Sequence, residues 1–251
     1  MAEVITGRNP VLEALRAGRS IQKILLVRNI SRHSVIAEIV RLAQSKAIPV
    51  EYVPAETFRG YSSMPRHQGI IAYTAVKAYH SLEDLFIISR EKGEPPLYCI
   101  LDGMEDPQNL GAILRTAEAS GTHGVIIRTR RAAGLTDAVA RASAGAMEYV
   151  PVARVTNIAQ TIARLKEKGI WVIGIDPAGR EDYHRAEFTV PVAIVVGGEG
   201  KGISELVRKR CDYLVSIPMR GKISSLNASV AAALAMYEAF HQRQVDTHKA
   251  D

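Results

Sequence analysis

The stretch "VAIVVGG", residues 192–198, contains only apolar side chains and glycine, so a strand formed here is apolar on both faces. "IWVIGID", residues 170–176, has the same character up to its final Asp176. Strands of this kind belong in the middle of a parallel sheet that helices cover on both sides. The two runs therefore predict an α/β fold.

The same alternation of elements extends through residues 97–251, which we predict to form one α/β domain. Short apolar runs predict further strands at 97–103, 124–128 and 213–218. Helices are expected at 109–121, 135–145, 157–169 and 225–241. An α/β domain of this kind commonly binds its ligand beyond the carboxyl ends of the strands.

A smaller α/β domain is predicted for residues 1–76. Asn9 and Pro10 have the order of a helix cap and a favoured first helical residue. A second helix is expected at 33–47, and strands at 21–27, 48–53 and 69–76. Residues 77–96 contain a short helix, with capping-box spacing at Ser81 and Asp84, and end in glycine and prolines. We therefore predict that 77–96 is the linker between the two domains.

The net charge of +6 is concentrated at the N-terminal end of the 251-residue chain. Residues 1–75 hold 10 Lys and Arg against 5 Asp and Glu, whereas the rest holds 22 against 21. A basic domain of this kind predicts a polyanionic partner such as a nucleic acid.

The composition argues against a membrane or secreted protein. No apolar run reaches the roughly 18–20 residues that cross a bilayer, and "MAEVITGRNP" lacks the apolar segment of a secretion signal. Cys99 and Cys211 lie far apart and outside any metal-ligand pair, so we expect neither a disulfide nor a metal site. These features predict a cytoplasmic protein.

Three polar or glycine-rich segments follow predicted strands directly, at 102–116, 197–204 and 218–227. The glycine-rich one, "GGEGKGIS", matches neither the phosphate-loop pattern nor the dinucleotide fingerprint. A nucleotide-binding oxidoreductase is therefore disfavoured. The glycines serve either a tight turn with positive φ or a close approach of backbone to a planar ligand.

Two residues of these segments, Asn227 and Arg115, each have two possible interpretations. Asn227 precedes an alanine-rich helix, so it is either a helix cap or part of a loop that binds a ligand through its backbone. Arg115 follows Asn109 by nearly two helical turns and is either a surface arginine or a buried one that needs an anionic partner. Glu199 is a candidate for that partner.

With these segments in view, the chain resembles the SpoU (TrmH-like) family of RNA ribose 2′-O-methyltransferases, within the SPOUT class. The resemblance lies in three motifs, "DPQNLGAILRTAEASG" (106–121), "IVVGGEGKGIS" (194–204) and "SIPMRGKISSLNASVAAAL" (216–234). Residues 4–75 are similar to the small ribosomal-protein-like substrate-binding domain of some members. This two-domain layout resembles the RlmB-like subgroup.

The resemblance implies that the C-terminal SPOUT domain forms a deep trefoil knot. It implies S-adenosyl-L-methionine as the cofactor, and it implies that the backbone of Gly197, Ile217 and Leu226 contacts this cofactor. It also implies a homodimer through the catalytic domain, with each active site completed across the interface. No metal is required.

The implied reaction is methylation of the 2′-hydroxyl of a guanosine in 23S rRNA or its precursor particle. Arg115 matches the arginine that the family places beside that hydroxyl. Because a guanidinium stays protonated, we expect Arg115 to clamp the ribose and its phosphate rather than act as the base. The other implied site residues orient this arginine and the nucleotide; they are Asn109, Glu199, Ser225 and Asn227.

Two alternatives stay open, ribose methylation of tRNA and a non-catalytic RNA-binding protein on the same fold. In each of them the basic N-terminal domain would hold the RNA. The candidate side chains are Arg8, Arg16, Arg19, Lys23, Arg28 and Arg32. "RTRRAAG", residues 128–134, is a second basic cluster that either lines the RNA path or is a solvated loop.

Overall fold

The computed structural model describes residues 2–30, 34–61 and 67–247 of the chain. The chain divides into two compact units. The first comprises Met1–Ala78 and Leu135–Tyr149, and the second comprises Tyr79–Gly134 and Val150–Asp251. This division differs from the boundaries expected from the sequence, because residues 135–149 join the first unit.

The strands and α-helices of the described residues are listed here in chain order. They are β1 (Ala2–Thr6), α1 (Arg8–Arg16), β2 (Ile21–Val27), α2 (Ser34–Ser45), β3 (Val50–Val53), β4 (Ile70–Ala75), α3 (Leu82–Lys92), β5 (Leu97–Asp102), α4 (Pro107–Ala119), β6 (Gly124–Arg128), α5 (Asp137–Ala142), β7 (Val152–Val155), α6 (Ile158–Glu167), β8 (Trp171–Ile175), β9 (Glu181–Asp182), β10 (Val192–Gly197), α7 (Glu205–Arg210), β11 (Tyr213–Ser216) and α8 (Ala228–Thr247). Short 3₁₀ turns occur at Ala55–Tyr61, Ala146–Glu148 and Tyr183–Arg185.

The first unit is built on a four-stranded sheet in the order β1-β4-β2-β3. β4 runs antiparallel to β1 and β2, whereas β2 and β3 are parallel. Buried residues of α1 and α2 form the main core with apolar residues of the strands. Helix α1 begins at Arg8, directly after Gly7, so Pro10 is its third residue and Asn9 is not its cap.

Polar contacts explain why residues 135–149 belong to the first unit. Asp137 Oδ1 accepts hydrogen bonds from Thr6 N at 2.7 Å and from Thr6 Oγ1 at 3.0 Å. Glu148 pairs with Arg19 at 2.7 Å and with Lys77 at 3.3 Å, and the side chains of Glu148 and Arg19 are only 2% and 6% exposed. Asp137 and Glu148 lie between 71 and 131 residues from these partners in the sequence, so local patterns could not reveal the contacts.

The predicted linker, 77–96, is not a separate segment. From Tyr79 onward it belongs to the second unit, and Leu82 and Leu85 of α3 are buried in that unit's core. The predicted capping box is confirmed, because Asp84 N donates to Ser81 Oγ at 3.1 Å and Ser81 N donates to Asp84 Oδ2 at 2.7 Å. The helix itself was therefore predictable, but its membership of the core was not.

The second unit contains a parallel seven-stranded sheet in the order β7-β6-β5-β10-β8-β11-β9. Strand β10, the apolar run that predicts the fold, lies between β5 and β8 and is buried along its whole length. Gly197 of β10 is in register with Asp102 of β5, and Val196 is in register with Ile175 of β8. The carboxyl ends of three strands therefore meet at one edge of the sheet. The trefoil knot stays a prediction.

Both cysteines are free thiols. Burial raises the pKa of Cys99 and of Cys211 to about 12, so each thiol stays protonated at neutral pH. Within the described part of the chain, no helix is both long enough and apolar enough to cross a membrane.

Replacing Glu148 by Ala should lower the free energy of unfolding by about 3 kcal/mol, because it leaves the buried Arg19 without one of its partners. Urea denaturation measures this change. The matched control is Glu51→Ala, which removes a pair with Lys23 whose side chains are 40% and 49% exposed, and which should cost less than about 1 kcal/mol. Equal losses in the two variants would contradict the structural role of Glu148.

Candidate active site

A cavity of about 680 Å³ lies at the edge of the parallel sheet where β8 and β10 end. Its walls come from three separate chain segments, 175–178, 196–202 and 224–228. Ile217, Met219, Arg208 and Ala231 complete the lining. Two of the three polar segments singled out in the sequence therefore form this cavity, together with the end of β8.

The structure brings most of the predicted site residues to this cavity. Gly197, Ile217 and Leu226, the candidates for cofactor contact, all line it. Glu199, Ser225 and Asn227 line it as well.

The turn interpretation of the glycine-rich loop is confirmed, whereas the approach of its backbone to a planar ligand stays a prediction. Gly200 has a φ of +78°, so it serves the turn. Gly198 serves close approach instead, because a Cβ atom at this position would lie 2.0 Å from the carbonyl oxygen of Gly103. The backbone that Gly198 approaches is the loop after β5, so the close contact joins two loops of the same site.

A chain of hydrogen bonds joins the three motifs. Asn227 Nδ2 donates to Asn109 Oδ1 at 3.0 Å, and Asn109 Nδ2 donates to Glu199 Oε1. Asn109 is buried, and it belongs to α4, whereas Glu199 and Asn227 belong to the two loops of the cavity wall. The amide of Asn109 thus bridges two residues that lie 90 and 118 positions later in the sequence.

Asn227 also caps helix α8, which confirms the helix-cap interpretation, while the ligand-binding interpretation stays a prediction. Its Oδ1 accepts from Ser229 N at 2.9 Å, from Ser229 Oγ at 2.6 Å and from Val230 N at 3.3 Å. The carbonyl side of the amide therefore fixes the helix start while the amino side reaches Asn109. The cap of α4 is Asp106 rather than Asn109, since Asp106 accepts from Gln108 N and Asn109 N.

Arg115 does not join this group within one chain. It lies on the exposed face of α4 and is absent from the cavity wall, and it forms no hydrogen bond or ion pair with the described residues. Glu199 is not its partner, because Glu199 accepts from Asn109 instead. Six residues of α-helix turn through about 600°, so Asn109 and Arg115 point in different directions.

Three charged residues of the cavity wall were not among the predicted site residues; they are Asp176, Lys201 and Arg208. Asp176 follows β8, and Arg208 lies on α7. Their side chains form an ion pair, with Arg208 Nη2 2.9 Å from Asp176 Oδ2. The signal for Asp176 was in the sequence, because it ends an apolar run that predicts a central strand. Helix α7 was not predicted, so Arg208 had no assigned position.

No group of three or more His, Cys, Asp or Glu side chains suited to a metal ion occurs among the described residues.

Two family models together match most of the chain. The SpoU rRNA methylase family matches residues 96–237. A domain described as RNA 2′-O ribose methyltransferase substrate binding matches residues 4–80. The matched ranges agree with the two resemblances found from the motifs.

Known proteins give the same result over nearly the whole length. YacO of Bacillus subtilis, whose name assigns it to the TrmH family of tRNA/rRNA methyltransferases, is 45% identical over 241 residues, which cover 96% of each chain. The SpoU methyltransferase AviRb of Streptomyces viridochromogenes, solved in complex with AdoMet, has a TM-score of 0.80 at 28% identity and covers 96% of this chain and 90% of its own. A TrmH/SpoU tRNA modifying enzyme of A. aeolicus has a TM-score of 0.56 at 26% identity, covering 66% and 85%.

The parallel sheet, the cavity at its carboxyl edge and these likenesses define an RNA methyltransferase with the SPOUT fold, preceded by a substrate-binding domain. Within that class, the chain belongs to the SpoU family.

Replacing Gly198 by Ala should destabilise the fold by about 1–3 kcal/mol, because the new methyl group meets backbone that cannot move away cheaply. Thermal denaturation measures the loss. Gly221→Ala is the matched control in another loop of the same unit, since a Cβ at this position meets no atom within 4 Å. If the two variants were equally stable, the contact between the two loops would not restrict position 198.

Proposed function

We propose that this protein uses S-adenosyl-L-methionine to methylate the 2′-hydroxyl of a guanosine ribose in 23S rRNA, free or in a precursor particle. The observation that carries the proposal is the hydrogen-bonded chain Asn227–Asn109–Glu199 beside the cavity. Three motifs from distant parts of the sequence supply one residue each to it. A chain that kept the fold without the activity would have no need to keep all three side chains in contact.

The cavity suits the proposed cofactor in size. Its volume lies in the range of about 300–1,000 Å³ that is common for small-molecule sites. Gly197, Ile217 and Leu226 would hold the cofactor, largely through backbone groups. When bound, S-adenosyl-L-methionine supplies a methyl group activated by a sulfonium. The protein's part is then to align the ribose oxygen, which can contribute on the order of 7–11 kcal/mol.

The position of Arg115 supports a homodimer whose active sites are completed across the interface. On its own chain Arg115 lies outside the cavity wall and faces solvent. Helix α4 packs against α8, and α8 exposes Val230 and Tyr237, which are seven residues apart and so share a face. We propose that a second copy covers this apolar face and that Arg115 of each copy serves the other copy's cavity.

Not all of the candidate RNA contacts in the first unit are available for phosphates. Arg19 is buried against Glu3 and Glu148. Arg16 pairs with two glutamates and Lys23 with one. Arg28 is exposed, whereas Arg32 lies outside the described residues. Arg8 is half-buried and its Nε is buried. Among these candidates, Arg28 is therefore the side chain that we assign most directly to the RNA.

Ribose methylation of tRNA is the second candidate function. YacO is named for both RNA classes, and the A. aeolicus enzyme for tRNA. The RNA 2′-O ribose substrate-binding domain fits either substrate.

Replacing Arg115 by Lys should lower the rate of RNA methylation at least about tenfold and leave the affinity for the cofactor unchanged. Lysine keeps the charge but loses the planar fork that holds ribose and phosphate, a loss of about 1.5–3 kcal/mol. Single-turnover methylation and calorimetric titration measure the two effects. Arg90→Lys, an exposed arginine on α3, is the matched control. A wild-type rate for the Arg115 variant would exclude this role.

Incubating total bacterial RNA with the protein and labelled S-adenosyl-L-methionine should place the label on one guanosine ribose of 23S rRNA. Mapping the labelled nucleotide distinguishes the candidates. Label on tRNA would favour the second function, and a protein that binds RNA and transfers no label to naked RNA or to precursor particles would be a non-catalytic binder. The Arg115→Lys protein serves as the reaction control.

A further inference from the structure

The ion pair Asp176–Arg208 forms one wall of the cavity and has no role in the function proposed so far. Both carboxylate oxygens of Asp176 are engaged, since Oδ2 is 2.9 Å from Arg208 Nη2 and Oδ1 accepts from Ala178 N at 2.9 Å. The Asp176 side chain is only 5% exposed. It is therefore a fixed anchor that sets the direction of the guanidinium.

Arg208 keeps donors that the described residues do not use. A guanidinium has five N–H donors, and the recorded side-chain partner of Arg208 is Asp176 alone. Its Nε is buried without a hydrogen-bond partner. The side chain is 40% exposed, and it lines the cavity. Arg208 is therefore a residue of the cavity wall whose side chain is partly accessible and has unused donors.

Arg208 is a positively charged group of the wall that a carboxylate holds in place, and its fork suits an anion. Glu199 accepts a hydrogen bond from Asn109, and Asp176 is neutralised by Arg208. Lys201 adds a second positive charge to the wall. The fork of a guanidinium matches the two oxygens of a carboxylate or a phosphate.

We propose that Arg208, held by Asp176, binds an anionic group of the ligand in this cavity. This inference rests on the proposed function. The group is either the α-carboxylate of the methyl donor or a phosphate of the RNA, and the two sources are distinguishable by experiment.

Arg208→Gln should weaken binding of S-adenosylhomocysteine at least about tenfold if the anion is the cofactor's carboxylate, because one charge-assisted hydrogen bond is lost. Binding of 5′-methylthioadenosine, which lacks the amino-acid part, should not change. Isothermal titration calorimetry measures both. Arg210→Gln is the matched control, since Arg210 lies two residues on in the same helix, is exposed and does not line the cavity.

If the anion is a phosphate, Arg208→Gln should leave S-adenosylhomocysteine binding unchanged and weaken RNA binding. The slope of log K against log salt should then fall by about 1 relative to Arg210→Gln. Either result supports an anion-binding role and identifies its source.

A double variant protects the test against misfolding. Arg208→Gln alone leaves the buried Asp176 carboxylate unpaired, whereas Asp176→Asn with Arg208→Gln removes both charges. If neither variant differs from Arg210→Gln in binding S-adenosylhomocysteine or RNA, the inference is overturned while the proposed function stands. A wild-type protein that does not bind S-adenosylhomocysteine would overturn the function and this inference with it.

Discussion

The cavity depends on one buried carboxylate at the end of β5. Asp102 accepts hydrogen bonds from Ser204 N at 2.8 Å and from Ser204 Oγ at 2.5 Å. Its carbonyl oxygen accepts from Gly198 N at 2.9 Å. A single residue therefore fixes both ends of the loop 198–204, which bears Glu199. Arg128, 3.6 Å from the other carboxylate oxygen, offsets part of the cost of burying this charge.

The central strands could be predicted from the sequence because their burial pattern is local. Strands β8 and β10 are apolar on both faces, and this property alone places them inside a parallel sheet. Because ligands bind beyond the carboxyl ends of parallel strands, the sequence also predicts that the loops after these strands form one site. The position of Arg208 in the cavity wall could not be predicted in this way. Helix α7 has six residues, which is too short for hydrophobic periodicity to reveal a helix.

Long-range polar partners were the part that the sequence could not supply. Asn227 has the local signature of a helix cap, and its amide does cap α8. The second half of the same amide reaches Asn109, 118 residues earlier. A side chain with both a donor and an acceptor can serve two partners at once, so a correct local role does not exclude a functional one.

Charge counted along the sequence and charge available on the surface are different quantities. The first unit has a clear basic excess, yet Arg16, Arg19 and Lys23 are paired with glutamates. The rest of the chain is nearly neutral, yet from Ile217 to Asn227 the charged residues are Arg220 and Lys222, both basic. Because electrostatic attraction acts through unpaired charge close to the site, this loop beside the cavity contributes more to attracting RNA than the near-neutral total suggests.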